Sequence, residues 1–381
     1  MSLLGGVSVV ELGTAITAPL AGVLLSDLGA DVVKIERPEG DLFRTLGGTK
    51  NHYFSAFNRG KRSVVLDLAL SDAQQSLRSL ICEADVFLDN VRPGSLARLG
   101  VDPDELRRLN PGLVHCSITG FGATGPYSQR PAFDGVAQAL SGLLSLSMDA
   151  DDPGVSGPTV SDNATGMYAC IAILGALAGR EAAGGRGARI EVNMLEASMA
   201  FIGGQFASAM QTGVAPGPLT RVAGSQAYAV RCADGPAIAI HLSGLEKFWT
   251  ALVGALNAPE LLDDPRFSSA SDRTHHYLEL RDELAARFAR DDRATWEHRL
   301  TDADVPFAPV YDVLEVIDDP QVRALDTVYR AQHEDGGLDA GVRPPYLIDG
   351  RRPGERREVP ELGADTDAVL ARARSHPDGA R

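Results

Sequence analysis

The feature that most constrains this chain is an alternation of short β-rich runs with helical stretches over its first 120 residues. Residues 7–11, 32–36, 64–68, 86–89 and 113–119 are brief apolar runs rich in Val, Ile and Leu. Helix-start signals fall between them. Pro19 lies near the first turn of a segment that ends before Gly29, Ser71-Asp72 caps another, and Asp102-Pro103-Asp104-Glu105 puts proline at the first helical position and acids in the first turn. This alternation predicts an α/β protein with a parallel, doubly wound sheet. The first strand–helix–strand unit ends at Glu36, where NAD-binding proteins carry a ribose-binding acid. Its loop, Gly13-Thr14-Ala15-Ile16-Thr17-Ala18, lacks the glycines of a dinucleotide fingerprint, so no nicotinamide cofactor is expected.

A chain of 381 residues exceeds one ordinary core, which predicts two domains. Strand, helix and strand signals continue through residues 188–193 and 194–210. A Gly/Pro-rich stretch at 212–218 then marks a boundary. Beyond it the pattern becomes a hairpin (227–231 and 237–241 about Asp234-Gly235) followed by helices near 245–256, 277–289 and 293–301, which predicts a small α+β domain. No apolar run reaches the ~18 residues of a membrane span, and no basic leader precedes the first strand, so neither a membrane partner nor a signal peptide is expected. The four cysteines are far apart and without metal-ligand spacing, as for free thiols in a reducing cytoplasm. A net charge of −15 argues against nucleic acid. Residues 1–130 hold 13 Lys and Arg against 14 Asp and Glu, so −14 of that charge lies downstream. A locally bound small polyanion suits this distribution, as does chance surface variation.

A second constraint is the stretch Val160-Ser161-Asp162-Asn163-Ala164-Thr165-Gly166-Met167-Tyr168, between a Gly/Pro/Asp-rich loop and an apolar run. Ser161, Asp162 and Asn163 favour a helix N-terminus. Asp162 then reads either as an ordinary N-cap or as a carboxylate nucleophile, held ionised by the helix dipole, with Ala164 and Gly166 leaving room for a ligand. Basic residues recur in the loops of the first third: Arg37, Lys61, Arg62, Arg92 and Arg130. Gathered on one sheet edge, they would make an anion site.

Five fragments in order carry a resemblance: Leu28-Gly29-Ala30-Asp31-Val32-Val33-Lys34-Ile35-Glu36-Arg37-Pro38; Asn58-Arg59-Gly60-Lys61-Arg62-Ser63; Asn90-Val91-Arg92-Pro93-Gly94; Gly120-Phe121-Gly122 with Gly125-Pro126-Tyr127; and Asp162 with Thr165-Gly166. On these the chain resembles the family III CoA-transferases, the group that includes formyl-CoA transferase and the 2-methylacyl-CoA racemases. The resemblance implies a Rossmann-like large domain built from both chain ends, with a smaller α+β domain inserted, in an interlocked homodimer. The expected division is residues 1–212 for the first part of the large domain, 219–318 for the small domain, and 319–381 for the return segment and C-terminal tail. It implies coenzyme A as substrate, bound as acyl-CoA by Arg37, Leu66, Asp67, Asn90, Val91, Arg92 and Arg98, with Gln129 and Arg130 near the pantetheine arm. It implies Asp162 as nucleophile and no metal.

The implied transferase moves CoA from an acyl-CoA to a small carboxylic acid through an aspartyl anhydride and an aspartyl-CoA thioester on Asp162. Racemases of the group pair the matching aspartate with a histidine, and here that position is Phe133, which carries no proton. None of the eight histidines lies close by in sequence, the nearest being His115. Asp134, next to Phe133, reads as a second carboxylate or as a loop cap. A racemase with an unrecognised base and a CoA-binding protein without turnover are the alternatives. Two positions depart from the pattern: Ala69 stands where the family often has lysine, and the glycine-rich loop of formyl-CoA transferase is reduced to Val222-Ala223-Gly224-Ser225-Gln226.

Overall fold

The computed structural model describes residues 2–46, 52–332, 338–354 and 358–374. The chain divides into two compact units. The first comprises Met1–Leu144, Val155–Gly203 and Asp326–Arg381, and the second Ser145–Gly154 and Gly204–Leu325. Of the C-terminal tail, residues 375–381 lie outside the described residues.

The first unit opens with β1 (Ser8–Leu12), α1 (Thr17–Asp27) and β2 (Asp31–Glu36), then α2 (Leu42–Thr45), α3 (His52–Asn58) and β3 (Arg62–Val65). It continues with α4 (Ser71–Glu83), β4 (Val86–Asp89), α5 (Ser95–Arg98), α6 (Pro103–Leu109) and β5 (Val114–Thr119). After α7 (Asp134–Leu140) come α8 (Val160–Gly179), β6 (Arg189–Asn193) and α9 (Met194–Phe201). The six strands form one parallel sheet in the order β3-β2-β1-β4-β5-β6. The order reverses between β1 and β4, which opens a crevice at their carboxyl ends.

Side chains alternate to two buried faces, as a sheet covered on both sides requires. Val9, Val32, Val86, Leu88 and Val114 meet α1 and α8 through Leu25, Ala169 and Ile173. Val10, Val33, Ile35, Val64 and Phe87 meet the other layer through Leu77, Ile81 and Leu106. The edge strand β3 is closed by the returning chain. Ser63 exchanges bonds with Asp365, Thr366 Oγ1 accepts from Val65 N–H, and the final helix, Thr366–Arg374, adds Val369 to the core.

The second unit holds α10 (Gly203–Thr212), α11 (Pro218–Ser225), β7 (Ala227–Arg231) and β8 (Ala237–His241). Then come α12 (Glu246–Ala255), α13 (Glu260–Asp263), α14 (Ala270–His275), α15 (Tyr277–Phe288), α16 (Arg293–Asp302), β9 (Phe307–Pro309) and α17 (Pro320–Ala324). An antiparallel sheet β7-β8-β9 covers a core built on Trp249, Phe267, Phe288 and Trp296. The returning chain forms a hairpin, β10 (Val328–Gln332) with β11 (Leu338–Val342), and ends in α18 (Thr366–Arg374).

Three expectations are corrected. The helix expected over 194–210 breaks at Ile202 into α9 and α10, at the pair Gly203-Gly204. Residues 222–226 are not a loop: they complete α11, closed by Gln226 in the left-handed conformation (φ 49°). Helix α8 is long and apolar enough by length and composition to cross a membrane, although the sequence reading found no such run. Its Ala169, Cys170 and Ile173 are buried with residues of the sheet and α1, and Ser161 is buried against Ser198 of α9.

Beneath the crevice lies a fully buried ionic cluster. Glu11, on β1, takes Lys34 Nζ at 3.1 Å and Lys61 Nζ at 2.7 Å on its two oxygens. Lys34 also meets Asp41 at 3.0 Å and the Gly13 carbonyl at 2.7 Å, and Lys61 donates to the carbonyl of Pro19 and to Asn58 Oδ1. Against the pull of burial, Glu11, Asp41 and Glu36 hold Lys34 above its ordinary pKa. Burial pushes Lys61 down to about 8, opposed by Glu11 and assisted by Lys34. Gly22 admits this cluster: a Cβ there would stand 2.0 Å from Glu11 Oε2. Because removing Glu11 leaves the buried Lys61 without a carboxylate and takes one of Lys34's two, Glu11→Ala should cost about 3–5 kcal/mol in urea denaturation. Loss of the surface pair Arg62–Asp31 should cost under about 1 kcal/mol.

Candidate active site

The carboxyl ends of the strands carry most of the residues singled out from the sequence. Arg37 follows β2, is exposed, and pairs with no carboxylate among the described residues. Leu66 and Asp67 follow β3. Leu66 is buried, so its side chain belongs to the core, and Asp67 Oδ1 accepts from Ala69 N–H at 3.1 Å in a local turn. Asn90, Val91 and Arg92 follow β4. Arg92 is exposed and unpaired among the described residues, and Arg98 on α5 is exposed with one bond to Ser95 Oγ at 2.8 Å. Gln129 and Arg130 lie in the loop after β5, where Arg130 stacks on the Tyr127 ring at 3.9 Å.

Asn90 spans the crevice. Its Oδ1 accepts from Thr14 N–H at 3.0 Å, and its Nδ2 donates to the Thr14 carbonyl at 2.8 Å and to Thr17 Oγ1 at 3.0 Å. Its amide is thereby committed to the β1–α1 loop. Below it, Asp89 is buried and accepts from Val91 N–H and Ser117 Oγ, and it meets His115 Nε2 at 2.8 Å. His115 is thus engaged by Asp89. Glu36 is turned inward. Arg44 grips it at 2.8 and 2.9 Å, Ser63 Oγ and Asp41 N–H complete its partners, and against burial these bonds hold it below its ordinary pKa.

Lys61 and Arg62 do not join the arginines. They lie at the amino end of β3, Lys61 in the buried cluster and Arg62 paired with Asp31, because in a parallel sheet the residues before a strand sit on the edge opposite those after it.

Asp162 is the third residue of α8, not its cap. Thr159 is the N-cap, and Asn163 Nδ2 reaches back to its carbonyl at 2.6 Å and its Oγ1 at 3.0 Å. The Asp162 carboxylate accepts no hydrogen bond among the described residues and is only partly solvent-exposed. Its backbone N–H donates to Asp134 Oδ1 at 3.1 Å. Asp134 begins α7, and its other oxygen accepts from Gln138 Nε2 at 2.5 Å. Phe133, the N-cap of α7, is exposed.

The helix dipole was expected to keep Asp162 readily ionised. Burial and the Asp134 charge overcome it and raise Asp162 to about 7. The room expected around Ala164 and Gly166 is also absent. A Cβ on Gly166 would meet the Thr17 carbonyl at 2.8 Å, so these small residues serve the close approach of α8 to α1. The N–H groups of Val160 and Asn163 are likewise bonded, to the carbonyls of Pro158 and Thr159, so they are not open donors at the helix start.

Sequence reasoning missed Gln138. It is 5% exposed and bonds both Asp134 and, at 3.3 Å, the Pro158 carbonyl. Its i+4 spacing from Asp134 was the available signal, although no helix was expected over residues 134–140, which form α7. The Ser198 Oγ–Ser161 Oγ bond of 2.6 Å, which ties α9 to the residue before Asp162, had no such signal.

A parallel sheet with cations on its carboxyl edge, beside a half-buried carboxylate pair, suits a protein that handles an activated acyl group and an anionic carrier. The chain belongs to CoA-transferase family III, whose family model matches residues 4–366. It is 33% identical over 387 residues to a succinate–glutarate CoA-transferase of Agrobacterium fabrum, covering 97% of this chain and 95% of that one. It is 33% identical over 368 residues to an acetyl-CoA:oxalate CoA-transferase of Acetobacter aceti, covering 94% and 92%. Among solved structures it superposes on a CaiB/BaiF family protein from Brucella suis with TM-score 0.86, 31% identity, and coverage of 97% and 99%. The protein is therefore a family III CoA-transferase.

The raised pKa of Asp162 has a stability consequence. A carboxylate whose folded pKa lies above its unfolded value stabilises the fold below the unfolded pKa, and that contribution is lost as pH rises through the folded one. Asp162→Asn should therefore stabilise the protein by roughly 1–3 kcal/mol at pH 8 and little near pH 4, read as the change in melting temperature at each pH.

Proposed function

We propose that this CoA-transferase works through Asp162 as a covalent carrier. The observation that carries the reading is its carboxylate: partly buried, free of hydrogen-bond donors among the described residues, and raised to about 7. A carboxylate near its ordinary value attacks a thioester uphill, because the thiolate it expels has a conjugate acid near pKa ~8.5. At about 7 the attacking and leaving groups are closer in basicity, and the first step approaches balance.

In that step an Asp162 oxygen bonds to the donor acyl carbon and the C–S bond breaks, giving a mixed anhydride and CoA thiolate. The thiolate then attacks the Asp162 carbonyl carbon. The C–O bond to the donor acid breaks, leaving an aspartyl-CoA thioester and the free carboxylate. An acceptor carboxylate attacks that thioester and expels CoA thiolate. The thiolate closes the cycle at the acceptor's acyl carbon, which regenerates Asp162. No proton is consumed, which fits a site whose ionisable partner, Asp134, supplies charge and position instead.

Arg37, Arg92 and Arg98 suit the CoA phosphates, since each is an exposed guanidinium on one sheet edge. The loop carrying Gln129 and Arg130 suits the pantetheine arm, while Leu66, Asp67 and Val91 offer mainly backbone, and Asn90 shapes the crevice floor. Names of relatives point to small acids such as succinate, glutarate and oxalate as the acceptor class. A homodimer, interlocked as in the family, would cover Met167, Tyr168 and Ile171 on α8 and Met199 and Phe201 on α9, which are exposed in the single chain. Four free cysteines, three of them buried, suit a reducing cytoplasm.

The test is intact-protein and peptide mass spectrometry after incubation with succinyl-, acetyl-, formyl- and 2-methylacyl-CoA, followed by hydroxylamine. A CoA adduct or hydroxamate on Asp162, absent in Asp162→Ala, is the expected result. α-Proton exchange without an adduct would point to a racemase, and CoA binding without either to a non-catalytic binder. Arg92→Ala should raise the KM for acyl-CoA by about tenfold with kcat little changed, the loss of one charge-assisted phosphate contact.

A further inference from the structure

Gln138 is nearly sealed from solvent, and its side-chain nitrogen donates in two directions. One bond, 2.5 Å, goes to Asp134 Oδ2 a turn earlier on α7, and the other, 3.3 Å, to the Pro158 carbonyl two residues before α8. The opposite oxygen of Asp134 receives the Asp162 N–H. A continuous path therefore runs from the Gln138 amide through one carboxylate to the backbone of the residue that carries the reaction.

We infer that Gln138 is a positioning residue for Asp162, acting through Asp134: it fixes the start of α8 against α7 and holds a negative charge beside the nucleophile. This rests on the reading of Asp162 as the covalent carrier. Asp134 has acceptor oxygens facing two N–H donors and, among the described residues, no cation partner. Without the Gln138 donor the Asp134 carboxylate would be held less firmly in place beside the Asp162 N–H.

The surroundings leave Asp134 as the one charge that matters. On α1 the only charged side chain is Asp27, at its far end and paired with Arg59. On α9 it is Glu196, bonded to Asn193 Nδ2 at 2.6 Å. On β5 it is His115, engaged by Asp89, and on β6 Arg189 and Glu191 pair with each other at 3.0 Å. On α8 itself Asp162 is the sole charged residue, and on α7 Asp134 is. Besides burial, Asp134 is the one influence that raises Asp162.

The test is a double-mutant cycle read as a pH profile. Loading of Asp162 by succinyl-CoA or acetyl-CoA is quantified by rapid acid quench and mass spectrometry from about pH 5 to about pH 9, around the carboxylate's raised value. Asp134→Asn should move the midpoint of loading down by about one pH unit. Gln138→Met should move it down in the same direction, and Gln138→Asn, whose shorter amide falls out of reach, should do likewise. In the Asp134→Asn background neither Gln138 change should move it further, because the charge it acts on is gone. The KM for acyl-CoA should stay unchanged throughout.

A Gln138 effect of equal size in both backgrounds, or no shift in any variant that still loads, overturns the inference while leaving Asp162 as carrier. If the wild-type protein loads no adduct on Asp162, the reading of the nucleophile fails first, and this inference with it.

Discussion

Two lysines sharing one buried carboxylate hold the molecule's most consequential loop. Glu11 anchors Lys34 and Lys61, Lys34 reaches on to the Gly13 carbonyl, and Lys61 reaches the Pro19 carbonyl. The loop between those carbonyls, with Ala15 at φ 63°, is pinned from below by charge and from the side by Asn90. The start of α1 is therefore fixed, and Gly166 of α8 rests on it at the Thr17 carbonyl. Through that contact the placement of Asp162 depends on an ionic cluster several residues removed in each chain segment. Such clusters are costly to assemble and more costly to break, so their return is a single geometry rather than added stability.

The carboxylate pair follows a different logic. Asp134 is satisfied by two N–H donors, whereas Asp162 has burial and a like charge but, among the described residues, no donor on its oxygens. One aspartate is held in place and its neighbour's oxygens are left without donors among the described residues, so environment sets two identical side chains apart. Among the described residues no cation contributes to the Asp162 pKa. The cations sit instead on the sheet's carboxyl edge, where a polyanionic carrier would be held away from the attacking oxygen.

Much of this was legible in the sequence. Residues 86–89 and 237–241 match β4 and β8 residue for residue, because short β-rich runs bounded by turn signals leave few alternatives. Asp102 caps α6 as its Asp-Pro-Asp-Glu run implies, accepting from Asp104 and Glu105 N–H. Helix α8 begins two residues before Asp162, so a cap reading gave way to a first-turn one. That difference decides what the carboxylate is free to do. Lys61 and Arg62 misled because a string does not say on which edge of a sheet a loop emerges. Gln138 was only half legible: Asp134 lies one turn away on α7, while the Pro158 carbonyl reaches it only when α7 folds against α8. The pKa of Asp162 was misjudged because the dipole is local and visible in sequence, while burial and the Asp134 charge are tertiary.

The central claim is that an acceptor's oxygen passes through Asp162, and isotope transfer tests it most directly. With an acceptor acid labelled with heavy oxygen in both carboxylate positions, the anhydride places one labelled oxygen between the acceptor and Asp162. Attack of thiolate at the acceptor's acyl carbon then leaves that oxygen on the aspartate. After a single turnover the peptide containing Asp162 should gain the mass of one heavy oxygen, rising toward two with repeated cycles, with unlabelled Asp134 as internal control. Turnover to labelled acyl-CoA with no gain on Asp162 would mean that CoA is transferred without an aspartyl anhydride, and the account of this site would be wrong.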